Sequence, residues 1–270
     1  MKNYEYFRVE LEEHIAVITI SRPKALNALS TAVVTELETV ISDVSEMEDV
    51  WVVIFTGDGD KAFVAGGDIK EMYEMDPAAG IAYSKLGNRV LSKIENMPQP
   101  TIAAVNGYAL GGGTEIAMAF DIRIASSRAI FGQPETGLGI IPGFAGTQRL
   151  PRLIGKGMAK LLIYSSARIN AEEAYRIGLV QKVVPHSSLM DEAKALAAQI
   201  VSCSPHAVRL AKTAINQGLE MDFQSATMYE AHVFGHCFTN EDQVEGMRAF
   251  VEKGKAVFNG KALPKSIPQN

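Results

Sequence analysis

The chain has 270 residues, of which 47% are hydrophobic, and its formal net charge is −5. This length and composition predict one large folded domain or a domain with an appendage, and the acidic balance argues against nucleic acid or an anionic membrane as a partner. No apolar run reaches the roughly 18 residues of a membrane span, and the N-terminal sequence lacks the features of a targeting leader, so we expect a complete, cytoplasmic protein.

Short apolar strands alternate with helices through the first half of the chain. Residues 4–11 and 15–21 predict a hairpin, and Ser30 is predicted to cap a helix whose apolar residues keep helical spacing from Val33 to Val44. The further predicted elements are a strand at 51–56, a helix starting at Asp68, a helix at 78–96, a strand at 101–105, a helix after Gly111–Gly113, and strands at 122–125 and 129–131. This alternation indicates an α/β core.

The pattern changes after about residue 150, where helical segments dominate. Residues 179–184 are the one stretch there with an extended pattern, and helices are predicted at 156–165, 171–177, 189–201, 205–217, 223–237 and 241–257. We therefore predict an α/β core with the active site over residues 1–200, a helical C-terminal region over 201–260, and a flexible tail over 261–270.

Two glycine-containing loops each follow a buried strand and precede a helix start, Ala65-Gly66-Gly67-Asp68 and Gly111-Gly112-Gly113-Thr114. Helix N-termini expose unpaired N–H groups, and glycine lets a ligand oxygen approach the backbone closely. Two such starts on neighbouring strands are able to aim two N–H groups at one oxygen, which is an oxyanion hole. The alternative, that these glycines only permit tight packing of strand against helix, stays open on the sequence alone.

A third glycine loop, Gly57-Asp58-Gly59-Asp60-Lys61-Ala62, matches the relaxed dinucleotide-binding pattern G-x-G-x-x-A. Two aspartates would stand where that fold binds a pyrophosphate, and like charges repel. We therefore predict a plain turn here.

Two glutamates lie close in sequence to the predicted oxyanion hole. Glu115 falls on the first turn of the helix after the glycine run, among apolar neighbours, and Glu135 lies in the loop FGQPETGLG. Two such acids at one site suit proton transfer at adjacent carbons, and burial would raise the pKa of at least one. The alternatives are that Glu115 stabilises a helix dipole and that Glu135 is a solvated loop residue.

The remaining chemically versatile residues predict no second site. Cys203 and Cys237 form neither a disulfide framework nor a metal quartet. His232 and His236 have the i, i+4 spacing of metal ligands but no evident third ligand, so no metal site is predicted. A peptidase would need a nucleophilic serine with a histidine base, and the predicted site shows no such pair.

Five longer segments carry a resemblance: SRPKALNAL at 21–29, DKAFVAGGDIKEM at 60–72, IAAVNGYALGGGTEIAMAFDIRIAS at 102–126, FGQPETGLGIIPGFAGTQRLPRLIG at 131–155 and AFVEKGK at 249–255. Together they resemble the enoyl-CoA hydratase/isomerase, or crotonase, superfamily over nearly the whole chain. Within it the sequence is most similar to the bacterial short-chain hydratases.

The resemblance implies a spiral of ββα units followed by a helical trimerisation region, assembled as a homohexamer from two trimers. It also implies roles for four residues. The oxyanion N–H groups are those of Gly67 and Gly112, and the catalytic acids are Glu115 and Glu135. Retention of both acids is typical of a hydratase.

The resemblance further implies contacts to the acyl-CoA. The corresponding positions are Lys24, Ala25, Leu26, Ala65, Gly67, Asp68, Ile69, Lys70, Gly112, Pro134, Gly143 and, reaching the CoA of an adjacent subunit, Phe250 and Lys253. Two positions depart from the family pattern: Gly67 stands where alanine is common, and Thr114 where cysteine is common. A backbone donor survives the first change, so no loss of function is expected.

The implied reaction is reversible syn hydration of a trans-2-enoyl-CoA to the 3-hydroxyacyl-CoA, in β-oxidation or butyrate formation. CoA is part of the substrate, and no metal or redox cofactor is expected. Bulky residues on the helix at 78–91 (Ile81, Tyr83, Leu86) favour a short acyl chain. The competing hypotheses are an enoyl-CoA isomerase on the same scaffold, and a non-catalytic acyl-CoA-binding or RNA-binding protein.

Overall fold

The computed structural model describes residues 2–263, which form two compact units. The first unit comprises residues 2–97 and 101–197, and the second comprises residues 98–100 and 198–263. The last seven residues of the predicted tail, 264–270, lie outside the described part of the chain.

All the strands named here belong to the first unit. In chain order they are β1 (Phe7–Glu12), β2 (Ile15–Ile20), β3 (Val52–Gly57), β4 (Ala62–Val64), β5 (Thr101–Val105), β6 (Tyr108–Leu110), β7 (Ile122–Ser126), β8 (Ile130–Gly132), β9 (Arg168–Asn170) and β10 (Lys182–Val184). They form a six-stranded sheet of order β1-β2-β3-β5-β7-β10 and a four-stranded sheet of order β4-β6-β8-β9. Pairing is parallel except for the β1–β2 hairpin and the β8–β9 pair.

The α-helices follow the strands as crossovers in the first unit and dominate the second. In chain order they are α1 (Thr31–Ser45), α2 (Ile69–Tyr73), α3 (Pro77–Asn96), α4 (Gly112–Ala119), α5 (Gly146–Ile154), α6 (Lys156–Ser165), α7 (Ala171–Arg176), α8 (Leu189–Val201), α9 (Pro205–Gly218), α10 (Phe223–Cys237) and α11 (Glu241–Val251). Short 3₁₀ turns form at Pro23–Ala25, Pro134–Leu138 and His186–Ser188. Within residues 2–263, no helix is both long and apolar enough to cross a membrane.

The core of the first unit explains why the two sheets stay together. Strands β2 and β3 are buried along their whole length, as expected for parallel strands covered on both faces. Phe55 on β3 packs against Phe63 on β4 and Phe120 after α4, with ring centroids 5.5 and 5.2 Å apart. Removal of a buried ring of this kind costs about 3–5 kcal/mol, so this cluster fixes β4 and α4 on the large sheet.

Local chemistry sets several boundaries, including the predicted start of α1 at Ser30. The Ser30 hydroxyl accepts a hydrogen bond from Val33 N and begins α1, and Asp76 caps α3 by accepting from Ala79 N. The residues after α3 include Pro98 and Pro100, which cannot continue a helix. The loop after β3 is a turn in which Asp58 pairs with Arg8 at 3.0 Å, so the dinucleotide-like pattern is structural.

The elements that the sequence missed are short or interrupted. Strands β4, β6 and β9 have three residues each, too few to show a period. Helix α5 was not predicted because it begins inside a glycine-rich loop and contains Pro151. The predicted helix at 241–257 is wrong in length: α11 ends at Val251, and Lys253 takes a left-handed φ of 58°.

The second unit is helical around α9, α10 and α11. Asp242, buried at the start of α11, accepts hydrogen bonds from the Ser204 hydroxyl and from the backbone of Asn259 and Gly260. Ala262 forms an isolated bridge with Asn240. Large apolar side chains of this unit are exposed, including Leu219, Phe223, Phe234 and Phe250.

Candidate active site

A cavity of about 1000 Å³ lies in the first unit where the loops after β4, β6 and β8 converge. Its walls come from α2, α3, the start of α4, the 3₁₀ turn at Pro134–Leu138 and the loop before α5. Pockets of this size accommodate substrates of cofactor dimensions. The lining is mostly apolar with a few polar groups, and it includes the four residues with predicted catalytic roles: Gly67, Gly112, Glu115 and Glu135.

The backbone amides of Gly67 and Gly112 lie close together in the cavity wall. A Cβ built on Gly112 would be 3.8 Å from Gly67 N. Among the hydrogen bonds of the described residues, neither amide donates to a protein acceptor. Gly112 is the first residue of α4, where helical N–H groups have no partner within the helix. Two unpaired donors therefore face the same space.

Two of the three consecutive glycines are required by the local geometry, for different reasons. Gly111 takes φ 52°, and a Cβ there would meet Glu135 Oε1 at 2.6 Å. Gly113 packs so close to β4 that a Cβ would meet the Val64 carbonyl oxygen at 1.9 Å. The packing alternative thus holds for Gly113, while the exposed donor belongs to Gly112.

Glu115 is only 2% exposed although its side chain is a carboxylic acid. Its side chain does not cap its own helix. Instead Oε1 accepts hydrogen bonds from Phe144 N at 2.8 Å and from Gly146 N at 2.6 Å. No donor within residues 2–263 binds Oε2, so one oxygen is fixed and the other faces the cavity.

The two donors to Glu115 flank Ala145, which takes the left-handed conformation with φ 65°. Alternation of helical and left-handed backbone aims successive N–H groups at one anion. A left-handed alanine costs about 1 kcal/mol, so the loop holds mild strain beside the buried acid.

Glu135 lies in the 3₁₀ turn after β8 and is 8% exposed. Its neighbour Gln133 is fully buried, and with the amide nitrogen turned toward the carboxyl it donates to both Glu135 oxygens at 3.1 Å. On its other side the Gln133 amide group lies beside Gly146, where a Cβ would approach it to 3.0 Å. Gln133 therefore lies between the two acids. No sequence pattern signalled this role, although Gln133 is only two positions before Glu135.

The two carboxyls titrate near neutral pH. Burial raises the pKa of Glu115 to about 7, and the negative charge of Glu135 adds to the rise. The amides of Gly146 and Phe144 and the charge of Arg149 oppose it. Burial likewise raises the pKa of Glu135 to about 7. Two backbone donors and a cation thus favour the ionised form of Glu115, whereas Glu135 has its own backbone N–H and the neutral amide of Gln133.

The structure separates the other predicted contact residues into three groups. Those that line the cavity are Ala65, Ile69, Pro134 and Gly143. Those of the first unit outside its lining are Lys24, Ala25, Leu26, Asp68 and Lys70. Of the latter group, Asp68 forms an ion pair with Arg22 at 3.6 Å. Phe250 and Lys253 belong to the second unit, where Phe250 is exposed.

Helix α3 contributes to the cavity differently from the sequence prediction. Tyr83 lines it, and its hydroxyl donates to the Leu29 carbonyl at 2.8 Å. Ile81 and Leu86 are not part of the lining, and Ile81 is 58% exposed. Phe144, missed by the sequence, packs on Tyr83 with ring centroids 4.9 Å apart.

Other chemically suggestive groups lie outside the cavity. Ser126 Oγ is 3.0 Å from His186 Nδ1, but Ser126 is fully buried and unable to receive a substrate. In the part of the chain that the structure covers, no three His, Cys, Asp or Glu side chains are grouped to hold a metal ion. His232 Nδ1 donates to the Met228 carbonyl of its own helix at 2.8 Å.

Two buried acids and two free amides line one cavity, an arrangement that is chemically able to transfer protons beside a negatively charged oxygen. The family model of enoyl-CoA hydratase/isomerase matches residues 10–261. The chain belongs to the enoyl-CoA hydratase/isomerase family.

Individual relatives are similar in sequence over nearly the whole chain. A short-chain-enoyl-CoA hydratase of Clostridium acetobutylicum is 55% identical over 92% of this chain and 95% of its own. A crotonyl-CoA hydratase of Syntrophomonas wolfei is 52% identical over 96% and 99%. The crystal structure of an enoyl-CoA hydratase from Bacillus anthracis superposes with a TM-score of 0.92 at 42% identity, covering 95% of this chain and 100% of that one. The predicted crotonase-like α/β fold is confirmed.

Proposed function

We propose that the protein catalyses reversible addition of water to the double bond of a short-chain trans-2-enoyl-CoA, giving the 3-hydroxyacyl-CoA. The observation that carries this proposal is the pair of buried glutamates, Glu115 and Glu135, in one cavity with the free amides of Gly67 and Gly112. The names of the bacterial relatives support both the hydration and the short chain.

The thioester is the electron sink, and the oxyanion hole stabilises the negative charge that its oxygen gains. As water adds at C3, the thioester oxygen gains enolate charge, and the amides of Gly67 and Gly112 stabilise that charge. Loss of one such donor costs about 3 kcal/mol of barrier height. Because the thioester itself accepts the electrons, the proposed reaction requires no metal or redox cofactor.

The acids divide the proton transfers between them. Glu115, held through Oε1, uses its other oxygen to orient water and take its proton. Glu135 protonates C2 on the same side of the double bond, which gives syn addition. The reverse dehydration exchanges these roles, and pKa values of about 7 suit both directions near neutral pH.

Hydration is tested with crotonyl-CoA. Addition of water removes the conjugation of the enoyl thioester, so its ultraviolet absorbance falls. An isomerase would instead convert a 3-enoyl-CoA to the conjugated thioester and raise that absorbance, without acting on crotonyl-CoA. Comparison of rates from C4 to C16 enoyl-CoAs tests the short-chain preference.

The assembly and the CoA contacts are part of the same proposal. The exposed apolar residues Leu219, Phe223, Phe234 and Phe250 support assembly of copies as a homohexamer, which analytical ultracentrifugation measures. Lys24, Ala25, Leu26, Asp68 and Lys70, with Phe250 and Lys253 of a neighbouring copy, are proposed to contact the CoA. The bacterial relatives support a role in fatty-acid metabolism in the cytoplasm, and cell fractionation tests the location.

A further inference from the structure

The loop that carries the two donors to Glu115 is attached to helix α3. Ser84 Oγ donates to the Gly143 carbonyl at 2.6 Å, and Asn88 Nδ2 shares that acceptor at 3.3 Å. One turn along, Gly87 makes room for the ring of Phe144: a Cβ there would meet Phe144 Cδ1 at 2.1 Å. The loop therefore follows the surface of α3 closely.

Arg149 forms the third attachment, from α5 to the end of α3. Its Nε and Nη2 donate to the two carboxylate oxygens of Glu95, each at 2.6 Å, and its Nη1 donates to the Phe144 carbonyl at 2.9 Å. The Arg149 side chain is 12% exposed. A bidentate pair fixes the plane of the guanidinium, so the third bond has a defined direction.

These attachments act on the peptide units that bind the acid. The peptide between Gly143 and Phe144 is planar, so holding its carbonyl through Ser84 also fixes the direction of Phe144 N–H. The next peptide, between Phe144 and Ala145, is held through its carbonyl by Arg149. The left-handed Ala145 then turns Gly146 N–H back to the same Glu115 oxygen.

We propose that Arg149 is a positioning residue for catalysis: anchored on Glu95, it holds the Phe144–Gly146 turn so that two amides bind one oxygen of Glu115 and leave the other to water. This inference rests on the proposed hydratase function. Ser84 has the same role for the preceding peptide. Neither residue needs to touch the reacting atoms.

The charged surroundings of Glu115 predict how loss of Arg149 changes its titration. From the turn after β8, Glu135 raises the pKa of Glu115, and from α5 Arg149 lowers it. From α3, Tyr83 faces Glu115, whose charge contributes to the raised pKa of the tyrosine. Removal of the guanidinium leaves burial and Glu135 unopposed by a cation, so the pKa of Glu115 should rise further.

The test is Arg149→Met, assayed by crotonyl-CoA hydration across pH. We expect kcat to fall about tenfold to a hundredfold with KM changed less than about twofold, because misplacement of a catalytic group affects the chemical step. The acid limb of the kcat profile should move to higher pH, because the base must lose its proton. A purely structural role would lower the melting temperature and leave kcat per folded enzyme and the acid limb unchanged.

Two further variants separate anchoring from charge. Glu95→Gln keeps the guanidinium but weakens its anchor, so kcat should fall with little movement of the acid limb; this variant also tests the proposal if Arg149→Met does not fold. Arg89→Met is the matched control, because Arg89 makes a bidentate pair from α3 to Glu38 at 2.8 and 2.9 Å without touching the loop. It should keep wild-type kcat and pH dependence.

The outcomes distinguish this inference from the function on which it rests. If wild-type protein does not hydrate crotonyl-CoA, the proposed function is wrong. If wild-type protein is active and folded Arg149→Met or folded Glu95→Gln has the same kcat, or if Arg149→Met lowers kcat with an unmoved acid limb, the positioning role is wrong.

Discussion

Replacement of Glu115 by glutamine changes charge while leaving the local geometry in place. The amide oxygen of glutamine accepts hydrogen bonds as the carboxylate does, so the bonds from Phe144 N at 2.8 Å and Gly146 N at 2.6 Å are retained. The substitution therefore separates the ionisation of residue 115 from its position. Two quantities should change in opposite directions: activity and stability.

Stability should increase, and the increase should depend on pH. The pKa of Glu115 is about 7 in the folded chain against an ordinary 4.5, so the folded state binds the proton more tightly than the unfolded state. Ionisation of the unfolded chain then lowers stability as pH rises from about 4.5, until the folded carboxyl also ionises above about 7. At about 1.4 kcal/mol per unit, Glu115→Gln should stabilise by about 1 kcal/mol near pH 5 and about 3 kcal/mol near pH 9.

Urea unfolding at these two pH values measures the difference. Glu48→Gln is the matched control, because Glu48 is exposed and its replacement changes the net charge by the same amount. A stability gain that is equal at both pH values, or no larger than that of the control, would show that Glu115 is not a buried acid of raised pKa. Loss of a general base typically reduces kcat by a factor of about 10²–10⁴, so we expect a loss of this size in Glu115→Gln. A folded variant with wild-type kcat would show that Glu115 is not part of the mechanism.

Three other predictions use the same assays. The pH profile of kcat should be bell-shaped with its maximum near neutral pH, since one acid must be ionised and the other protonated; a flat profile from about pH 5 to 9 would contradict this. Gly87→Ala should lower the free energy of unfolding by about 1–3 kcal/mol, because the new Cβ would collide with Phe144, and it should also lower kcat. Gly80→Ala on the same helix has open space around it and should raise the free energy of unfolding by about 0.5–1 kcal/mol. Urea unfolding measures both. Gly67→Ala should keep kcat within about threefold, because its Cβ would meet two side-chain atoms, the flexible Met72 sulfur at 2.7 Å and the Tyr83 hydroxyl at 3.3 Å, and the N–H donor remains. A larger loss would show that the cavity wall cannot adjust.

Much of the site could be predicted because its chemistry is local in sequence. Glycines before helix starts expose backbone donors, and an acid among apolar residues indicates burial, so the glycine run 111–113 and Glu115 were candidates from short stretches. The choice of Gly112 within that run came from the family resemblance. The sequence left open whether the glycines serve packing or binding. The structure shows that adjacent positions differ: Gly113 contacts the Val64 carbonyl, while Gly112 presents its amide to the cavity.

The hydrogen bonds and ion pairs that hold the site in place could not be predicted from local sequence patterns. Ser84 and Gly143 are 59 positions apart, and Glu95 and Arg149 are 54 apart, so no periodicity joins them. Ala145 gives no signal of a left-handed backbone, because alanine is unfavourable there and the surrounding contacts impose it. The three-residue strands of the small sheet are likewise fixed by pairing partners distant in sequence.

The most direct test of the central claim is a crystal structure with an unreactive enoyl-CoA analogue bound. We expect the thioester oxygen within hydrogen-bonding distance of both Gly67 N and Gly112 N, with C2 beside Glu135 and C3 facing the free oxygen of Glu115. A thioester bound away from these two amides, or a C2–C3 bond out of reach of either glutamate, would contradict it.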